Sequence, residues 1–294
     1  MRLGAIEAGG TKMVCAIGDE NGSVFDQITI PTTTPEATLP KMIDYFSEQS
    51  IEALGIGAFG PVDLNKKSST YGYILDTPKI AWKQYNLLER LQQAFQLPIG
   101  IDTDVNAACL GEMTFGVAKD LDCVVYLTIG TGIGAGISVG GNLLHGMLHP
   151  EAGHVLIKKH KSDTFDGTCP YHKDCFEGLA SGPAIESRYG KKAYELDGKI
   201  EVWELEAYYI AQALTNYIMI LSPQKIILGG GVMKQLQLFP LIHQEVTKAV
   251  RGYLNTSQLN DIKNYIVPAS LNGNQGILGA LELARIETLM DRNI

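Results

Sequence analysis

One pattern occurs twice in this chain: an apolar run, a turn of glycine and threonine, and a second apolar run. Residues 3–8 are mostly apolar, Gly9-Gly10-Thr11 interrupts them, and 13–17 are apolar again. Residues 123–129, Gly130-Thr131-Gly132-Ile133-Gly134 and 135–139 repeat the arrangement. Short apolar runs split by glycine read as strands joined by tight turns, so each half of the chain opens on a hairpin. Asn21-Gly22 is a further hairpin signal in the first half, with 24–30 as a third strand. Behind each hairpin, strands and helices alternate. The spacing predicts helices over 35–49, 86–95 and 105–115, with strands at 53–59 and 98–101. It then predicts helices around 184–194 and over 202–221, 239–250 and 275–290, with strands at 225–228 and 265–267. The class is α/β with mixed sheets, and the repetition suggests an internal duplication. A length of 294 residues accommodates two such domains.

The glycine turns bear on function. Gly132, Gly134 and Gly136 have the spacing of a dinucleotide fingerprint, but that motif opens a helix directly after a strand. Ile137-Ser138-Val139 follows with strand character, so a hairpin is predicted instead. A Walker pattern is absent from the sequence. A Gly-Thr hairpin tip can still bind phosphate: glycine allows close approach, successive N–H groups form an anion nest, and threonine adds a hydroxyl. Either tip alone also reads as an ordinary tight turn. Two tips, each between apolar strands and each carrying threonine, favour phosphate binding by Gly10, Thr11, Lys12, Thr131 and Gly132. Gly229-Gly230-Gly231 follows a strand, where backbone can approach a flat ligand.

Net charge excludes some partners. At −8 the chain is unsuited to non-specific binding of nucleic acid or anionic membranes. No apolar run approaches the ~18 residues of a membrane helix, and Glu7 interrupts what a signal peptide would need. Five cysteines do not form a secreted disulfide scaffold, so a soluble, cytoplasmic protein is expected. Cys15, Cys109 and Cys123 lie in apolar runs and read as core thiols.

Two stretches carry candidate chemistry. Asp102-Thr103-Asp104-Val105-Asn106 lies where a strand passes into a helix, a usual position for ligand-binding groups in α/β proteins. Asp104 reads either as a helix cap or as a base whose carboxylate form the helix dipole favours. The second stretch is 151–177, with Glu151-Ala152-Gly153-His154, then Cys169, His172, Cys175 and Glu177. His154, Cys169, His172 and Cys175 make a complete set for a structural zinc ion with no open position. The alternatives are free thiols or a Cys169–Cys175 disulfide, which a cytoplasmic location disfavours. His145, His149 and His160 fall off this spacing and read as surface or packing residues, and His243 needs no special role.

Taken together these motifs resemble the ROK sugar kinases of the actin/hexokinase/Hsp70 superfamily. The resemblance spans nearly the whole chain. It rests on Glu7 to Lys12, Gly57 to Asp63, Asp104 to Ala108, Thr128 to Gly136, Glu151 to His154, Cys169 to Gly182, Lys225 to Val232 and Gly276 to Ala280. It implies two actin-like (ribonuclease H-like) domains, 1–116 plus 277–294 and 117–276, with sugar and ATP in the cleft between them. Asp104 matches the family's catalytic base; Asn106, Glu151, His154 and Glu177 match its sugar-binding positions, with Gly60 and Pro61 lining the pocket. Gly230, Gly231 and Asn274 fall where the family holds adenosine, and Pro223 lies beside them. ATP, magnesium and structural zinc are the implied cofactors, and a homodimer the implied assembly. Glu7 stands where many members have Asp, and His172 stands where many have a third cysteine. Thr77-Pro78-Lys79-Ile80-Ala81-Trp82 resembles the fructokinase branch, so the implied activity is ATP-dependent 6-phosphorylation of D-fructose. Glucose, mannose or an N-acylhexosamine is the alternative substrate. A non-catalytic sugar sensor, or a ROK repressor with an added DNA-binding domain, fits less well.

Overall fold

The computed structural model describes residues 1–291. The predicted domain end at 292–294 lies outside the described residues. In chain order the elements begin with β1 (Arg2–Ala8), β2 (Lys12–Asp19), β3 (Val24–Pro31), α1 (Pro35–Ser47), β4 (Ala53–Ala58), β5 (Tyr73–Ile74) and β6 (Tyr85–Asn86). Next come α2 (Leu87–Phe95), β7 (Ile99–Thr103), α3 (Asp104–Phe115), β8 (Val124–Ile129), β9 (Ile133–Val139) and β10 (Asn142–Leu143). After them lie α4 (Phe176–Ala180), α5 (Gly182–Tyr189), α6 (Ile200–Leu221), β11 (Lys225–Gly229) and α7 (Leu238–Val250). The described chain closes with α8 (Ser257–Asn260), α9 (Ile262–Tyr265), β12 (Ile266–Pro268) and α10 (Gln275–Asp291).

The chain forms two compact units, one of Met1–Asp120, Leu143–Pro150 and Ser270–Ile294, the other of Leu121–Asn142 and Glu151–Ala269. In the first unit the sheet order is β3-β2-β1-β4-β7. β1 pairs antiparallel with β2 and parallel with β4, and β4 pairs parallel with β7. Side chains alternate across this sheet as strand geometry requires. Ile6, Ala8, Met13, Cys15 and Ile17 face a core with Leu39, Met42 and Phe46 of α1. Leu3, Ala5, Val14 and Ala16 face Ile277, Leu281 and Ala284 of α10.

The second unit repeats the topology in the order β10-β9-β8-β11-β12. β8 pairs antiparallel with β9 and parallel with β11, and β11 parallel with β12. The hairpin predicted at the second glycine turn is present, and the duplication seen in the sequence is a duplication of sheet order. In α6, Trp203, Ala207, Ile210, Leu214 and Tyr217 recur every three or four residues and are buried, one apolar stripe of a 3.6-residue period.

Some local expectations are corrected. The helix predicted around 184–194 ends at Tyr189, because Gly190 adopts φ 66 and closes it with a left-handed cap. The helix predicted over 239–250 is present as α7, and a 3₁₀ turn, Val232–Lys234, that was not predicted separates it from Gly229-Gly230-Gly231. Cys15 and Cys109 are buried as expected, but Cys123 is partly exposed and donates to the Leu221 carbonyl. Among the described residues no helix is long and apolar enough to cross a membrane.

Candidate active site

In the first unit the candidate residues sit at the carboxyl ends of three adjacent parallel strands. Ala8 is opposite Ala58, and Ala58 is opposite Thr103. The Gly9–Thr11 tip, Gly60-Pro61 and Asp104 therefore all leave the same edge of the sheet, where α/β proteins bind ligands. The tip closes through the Gly9 N–H donating to the Lys12 carbonyl at 3.0 Å. Thr32 braces it twice, its N–H to the Thr11 carbonyl and its hydroxyl to the Gly9 carbonyl at 2.7 Å. Thr11 and Lys12 are exposed, which leaves their side chains available to a ligand. Glu7 precedes this tip; burial raises its pKa, while the Lys12 charge works in the opposite sense.

Asp104 is the first residue of α3 and not its cap. Thr103 is the cap, its hydroxyl accepting the Asn106 N–H at 3.1 Å, while Asp104 accepts the Val105 N–H at 2.9 Å. Asp102, which could also have served, is not the cap either. Its Oδ1 accepts the Thr103 N–H and the Asn106 side-chain amide, each at 2.7 Å, and its Oδ2 lies 2.9 Å from His145 Nε2. With three neighbours bonded to its carboxylate, Asp102 organises them. Asn106 is wholly enclosed, with its amide nitrogen committed to Asp102.

The surface-or-packing reading holds for His149 as packing and for His145 as surface, but His145 is also held by a carboxylate. His149 is buried beside Gly60, and its Nε2 accepts the Val62 N–H at 3.1 Å. Burial lowers its pKa, which suits a neutral ring. His145 is instead exposed and bonded to Asp102, and that hydrogen bond raises its pKa. No sequence signal marks this pairing, since its partners stand 43 residues apart. Lys79 was also missed as a neighbour of the first tip: a Cβ on Gly10 would meet its Cε at 3.4 Å. His160 contacts Ser162 and Tyr208, and His243 lies 2.9 Å from the Ile266 carbonyl; both are packing residues.

In the second unit the equivalent strand ends carry the second tip and the triple-glycine turn. The Gly130 N–H donates to the Gly132 carbonyl at 2.9 Å, and Thr131 is exposed. Gly230 has φ 92, and a Cβ there would come within 2.4 Å of the Ile129 carbonyl, so glycine is required where this turn lies on β8. Gly231 faces open space, with its N–H beside Gly130. Pro223 is buried after the αL cap of α6. Asn274, in the first unit, is exposed at the head of α10.

The 151–177 stretch folds into one corner of the second unit. His154 Nδ1 lies 3.8 Å from Cys169 Sγ and 3.5 Å from Cys175 Sγ, and His172 Nδ1 lies 3.7 Å from Cys169 Sγ. All four ligand atoms fall within 4.8 Å of one another. A tetrahedron with usual zinc–sulfur and zinc–nitrogen bonds has edges of about 3.3–3.8 Å, and the three nitrogen–sulfur distances fall in that range, so the donor set fits such an ion. The cysteines are free thiols rather than a disulfide. Burial pushes the Cys175 thiol up to about 11, so a thiolate there needs a compensating cation. The other nitrogen of His154, Nε2, lies 4.0 Å from Glu177 Oε1. Glu177 Oε2 accepts the Ile133 N–H at 2.8 Å, which ties the metal corner to the second tip. Glu151 is open to solvent, yet dense packing around its carboxyl raises its pKa, with the Glu177 charge adding to the effect.

Known proteins resemble this chain along nearly its whole length. The ROK family model matches residues 3–287. A Bacillus subtilis (strain 168) protein provisionally assigned as a fructokinase is 58% identical, over 96% of this chain and 95% of its own length. The fructokinase of Pediococcus pentosaceus is 47% identical, over 97% of this chain and 98% of its own. Among solved structures, the ROK hexokinase of Thermus thermophilus superposes with a TM-score of 0.81 at 25% identity, covering 99% of this chain and 100% of that one.

Proposed function

The chain belongs to the ROK family, and from that premise we propose that it is a fructokinase, transferring the γ-phosphoryl group of ATP to the 6-hydroxyl of D-fructose. The observation that carries the assignment is identity of 58% and 47% to fructokinase relatives along almost the entire chain. The Thr77–Trp82 segment supports it. Trp82 is fully buried and donates from Nε1 to the Thr33 carbonyl at 2.7 Å, which anchors the segment that carries Lys79.

In this reading Asp104 orients the reacting hydroxyl and accepts its proton as the phosphoryl group transfers. Positioning and charge stabilisation do most of the work in such transfers, so a carboxylate suffices as the base. Glu151, His154 and Glu177 hold the other sugar hydroxyls, with Gly60 and Pro61 at the sugar's edge. Asn106 braces the Asp104 turn through Asp102. Thr11, Lys12, Thr131 and Gly132 bind phosphate oxygens through N–H groups and hydroxyls, and Gly230, Gly231, Asn274 and Pro223 hold adenosine. Glu7 and Asp104 offer the hard oxygen donors that magnesium prefers, and the ion supplies neutralisation of phosphate charge. Zinc at His154, Cys169, His172 and Cys175 is structural, because four protein ligands leave no position for substrate.

Asp104→Asn tests the mechanism. kcat should fall by about three orders of magnitude while fructose binding survives; near-normal turnover would overturn the role of Asp104. A coupled ADP-release assay with fructose, glucose, mannose and an N-acylhexosamine tests the substrate. A higher kcat/KM for any sugar other than fructose would replace the assignment with a broader hexokinase.

A further inference from the structure

Among the described residues His145 is the one exposed titratable side chain bonded to the Asp102–Asn106 cluster, and the reading above gives it no task. Its Nε2 faces Asp102 Oδ2 at 2.9 Å and lies 3.4 Å from the Asn106 amide nitrogen. A carboxylate only accepts hydrogen bonds, so Nε2 carries the proton and points it at Asp102. The second N–H of the Asn106 amide could reach Nε2 only if that nitrogen were an acceptor, and its lone pair would then face the Asp102 carboxylate at 2.9 Å, which disfavours that tautomer. Asp102 thereby fixes both the tautomer and the orientation of the ring. Among the described residues His145 Nδ1 makes no hydrogen bond, and the side chain is 39% exposed.

Asn106 is placed in the opposite way. The residue is 0% exposed, and its Oδ1 is buried without a hydrogen-bond partner. Flipping the amide to free the nitrogen would set oxygen against the Asp102 carboxylate. A side chain so enclosed is a poor direct contact for a soluble sugar, whereas His145 presents an oriented polar edge to solvent.

We propose that His145 is a sugar-binding residue that contacts a substrate hydroxyl through Nδ1, and that Asp102 and Asn106 are positioning residues that hold its ring. The inference rests on the sugar-kinase reading and deepens it. The 143–150 segment then supplies a substrate contact as well as the buried His149 that packs on Gly60. The titratable groups facing His145 are Asp102 from β7 and His149 from its own segment, and Asp102 also faces Tyr71. With the ring protonated, Nδ1 becomes a charge-assisted donor to the hydroxyl oxygen, the stronger of its two bonding modes. Sugar affinity should therefore weaken as pH rises through the elevated pKa of His145.

The test compares wild type, His145→Ala, His145→Gln and Asp102→Asn in the full chain, by calorimetric sugar titration and by steady-state kinetics from pH 5.5 to 8.5. His145→Ala should raise Kd and KM for the sugar about ten-fold with a smaller change in kcat, and should remove the pH dependence of KM. Glutamine keeps a donor for Asp102 and an acceptor for the hydroxyl, so His145→Gln should recover part of the affinity but none of the pH dependence. Combining His145→Ala with Asp102→Asn should cost less than the sum of the two. A His145→Ala protein with wild-type sugar affinity and pH profile overturns the proposal. So does one whose only defect is a lower Tm. Where the wild type phosphorylates a different sugar, the fructose assignment fails and the same titration on that sugar decides His145: a raised Kd in His145→Ala supports the proposal and an unchanged Kd overturns it. A wild type that binds no sugar overturns both.

Discussion

Gly153→Ala offers a sharp test of how the 151–177 stretch is built. Gly153 sits in a 3₁₀ turn, Ala152–His154, between the candidate sugar ligand Glu151 and the candidate metal ligand His154. A Cβ placed on Gly153 would lie 1.8 Å from the Ile133 carbonyl oxygen and 2.7 Å from its carbon. Ordinary carbon–oxygen contact begins near 3.3 Å, so turn and strand must separate by roughly 1.5 Å, at a cost of about 1–3 kcal/mol of overpacking. The atom in the way is backbone of β9, paired with Ile129 in the hairpin that carries Thr131 and Gly132, so no side chain can rotate aside. Displacing a substrate-positioning group by about 1 Å costs on the order of 10²-fold in rate, so kcat/KM for fructose should fall at least that far. The thermal midpoint should drop by about 2–4 °C per kcal/mol. Steady-state kinetics, thermal unfolding and metal content would be measured together, with Gly146→Ala as the comparison. There the nearest atom to a new Cβ is the Leu148 carbonyl oxygen at 3.8 Å, an ordinary contact. If Gly153→Ala kept kcat/KM within about three-fold of wild type, the coupling of this turn to catalysis through rigid packing would be refuted.

Two further outcomes follow. Stripping metal with a chelator should release about one zinc per chain, lower the thermal midpoint and raise KM for sugar, because His154 and Glu177 lose their shared brace; a zinc-free protein with unchanged KM would break that link. Glu206 is fully buried in α6 with Oε1 unpaired; burial raises its pKa well above 4.5, and Arg188 only partly opposes the shift. An acid with a raised folded-state pKa contributes stability below its unfolded value and loses it as pH rises towards the folded one. Glu206→Gln removes that titration, so its stability relative to wild type should increase above pH 4.5 by up to about 1.4 kcal/mol per pH unit. Urea unfolding at several pH values checks this, and a difference that does not vary with pH would contradict it.

The sequence made some parts of this protein legible and hid others for physical reasons. Both Gly-Thr tips could be read because glycine, threonine and flanking apolar runs are local signals, and the strand character of Ile137-Ser138-Val139 separated hairpin from dinucleotide fold. The clustering of His154, Cys169, His172 and Cys175 could be read from their spacing. The start of α3 was misread because Asp102-Thr103-Asp104 offers three adequate caps. Only tertiary contacts decide among them, by taking Asp102 into the His145 and Asn106 network. Helix α4 escaped notice because five residues are too few to show a period, and Tyr73–Ile74 with Tyr85–Asn86 are shorter still. His145 was hidden most deeply, since nothing local distinguishes a histidine that meets a carboxylate 43 residues away from one on a polar surface.

The two units share a strand order but secure their hairpin tips by different chemistry. In the first unit the tip is held by the neutral hydroxyl and N–H of Thr32 on the carbonyls of Gly9 and Thr11. In the second, a carboxylate takes that role. Glu177 accepts the Ile133 N–H, and a Cβ on Gly132 would approach its Oε2 to 2.9 Å, so the residue is fitted closely against the tip. A charged anchor must itself be held, and Glu177 stands at the start of α4, two residues beyond Cys175 and 4.0 Å from His154 Nε2. The four-ligand corner thus does more than close a loop. By fixing His154 and Cys175 it fixes Glu177, and through Glu177 the backbone of the second tip. The two hairpins occupy equivalent places in the sheet order, and an ion held by the four-residue corner would make the position of only the second depend on it.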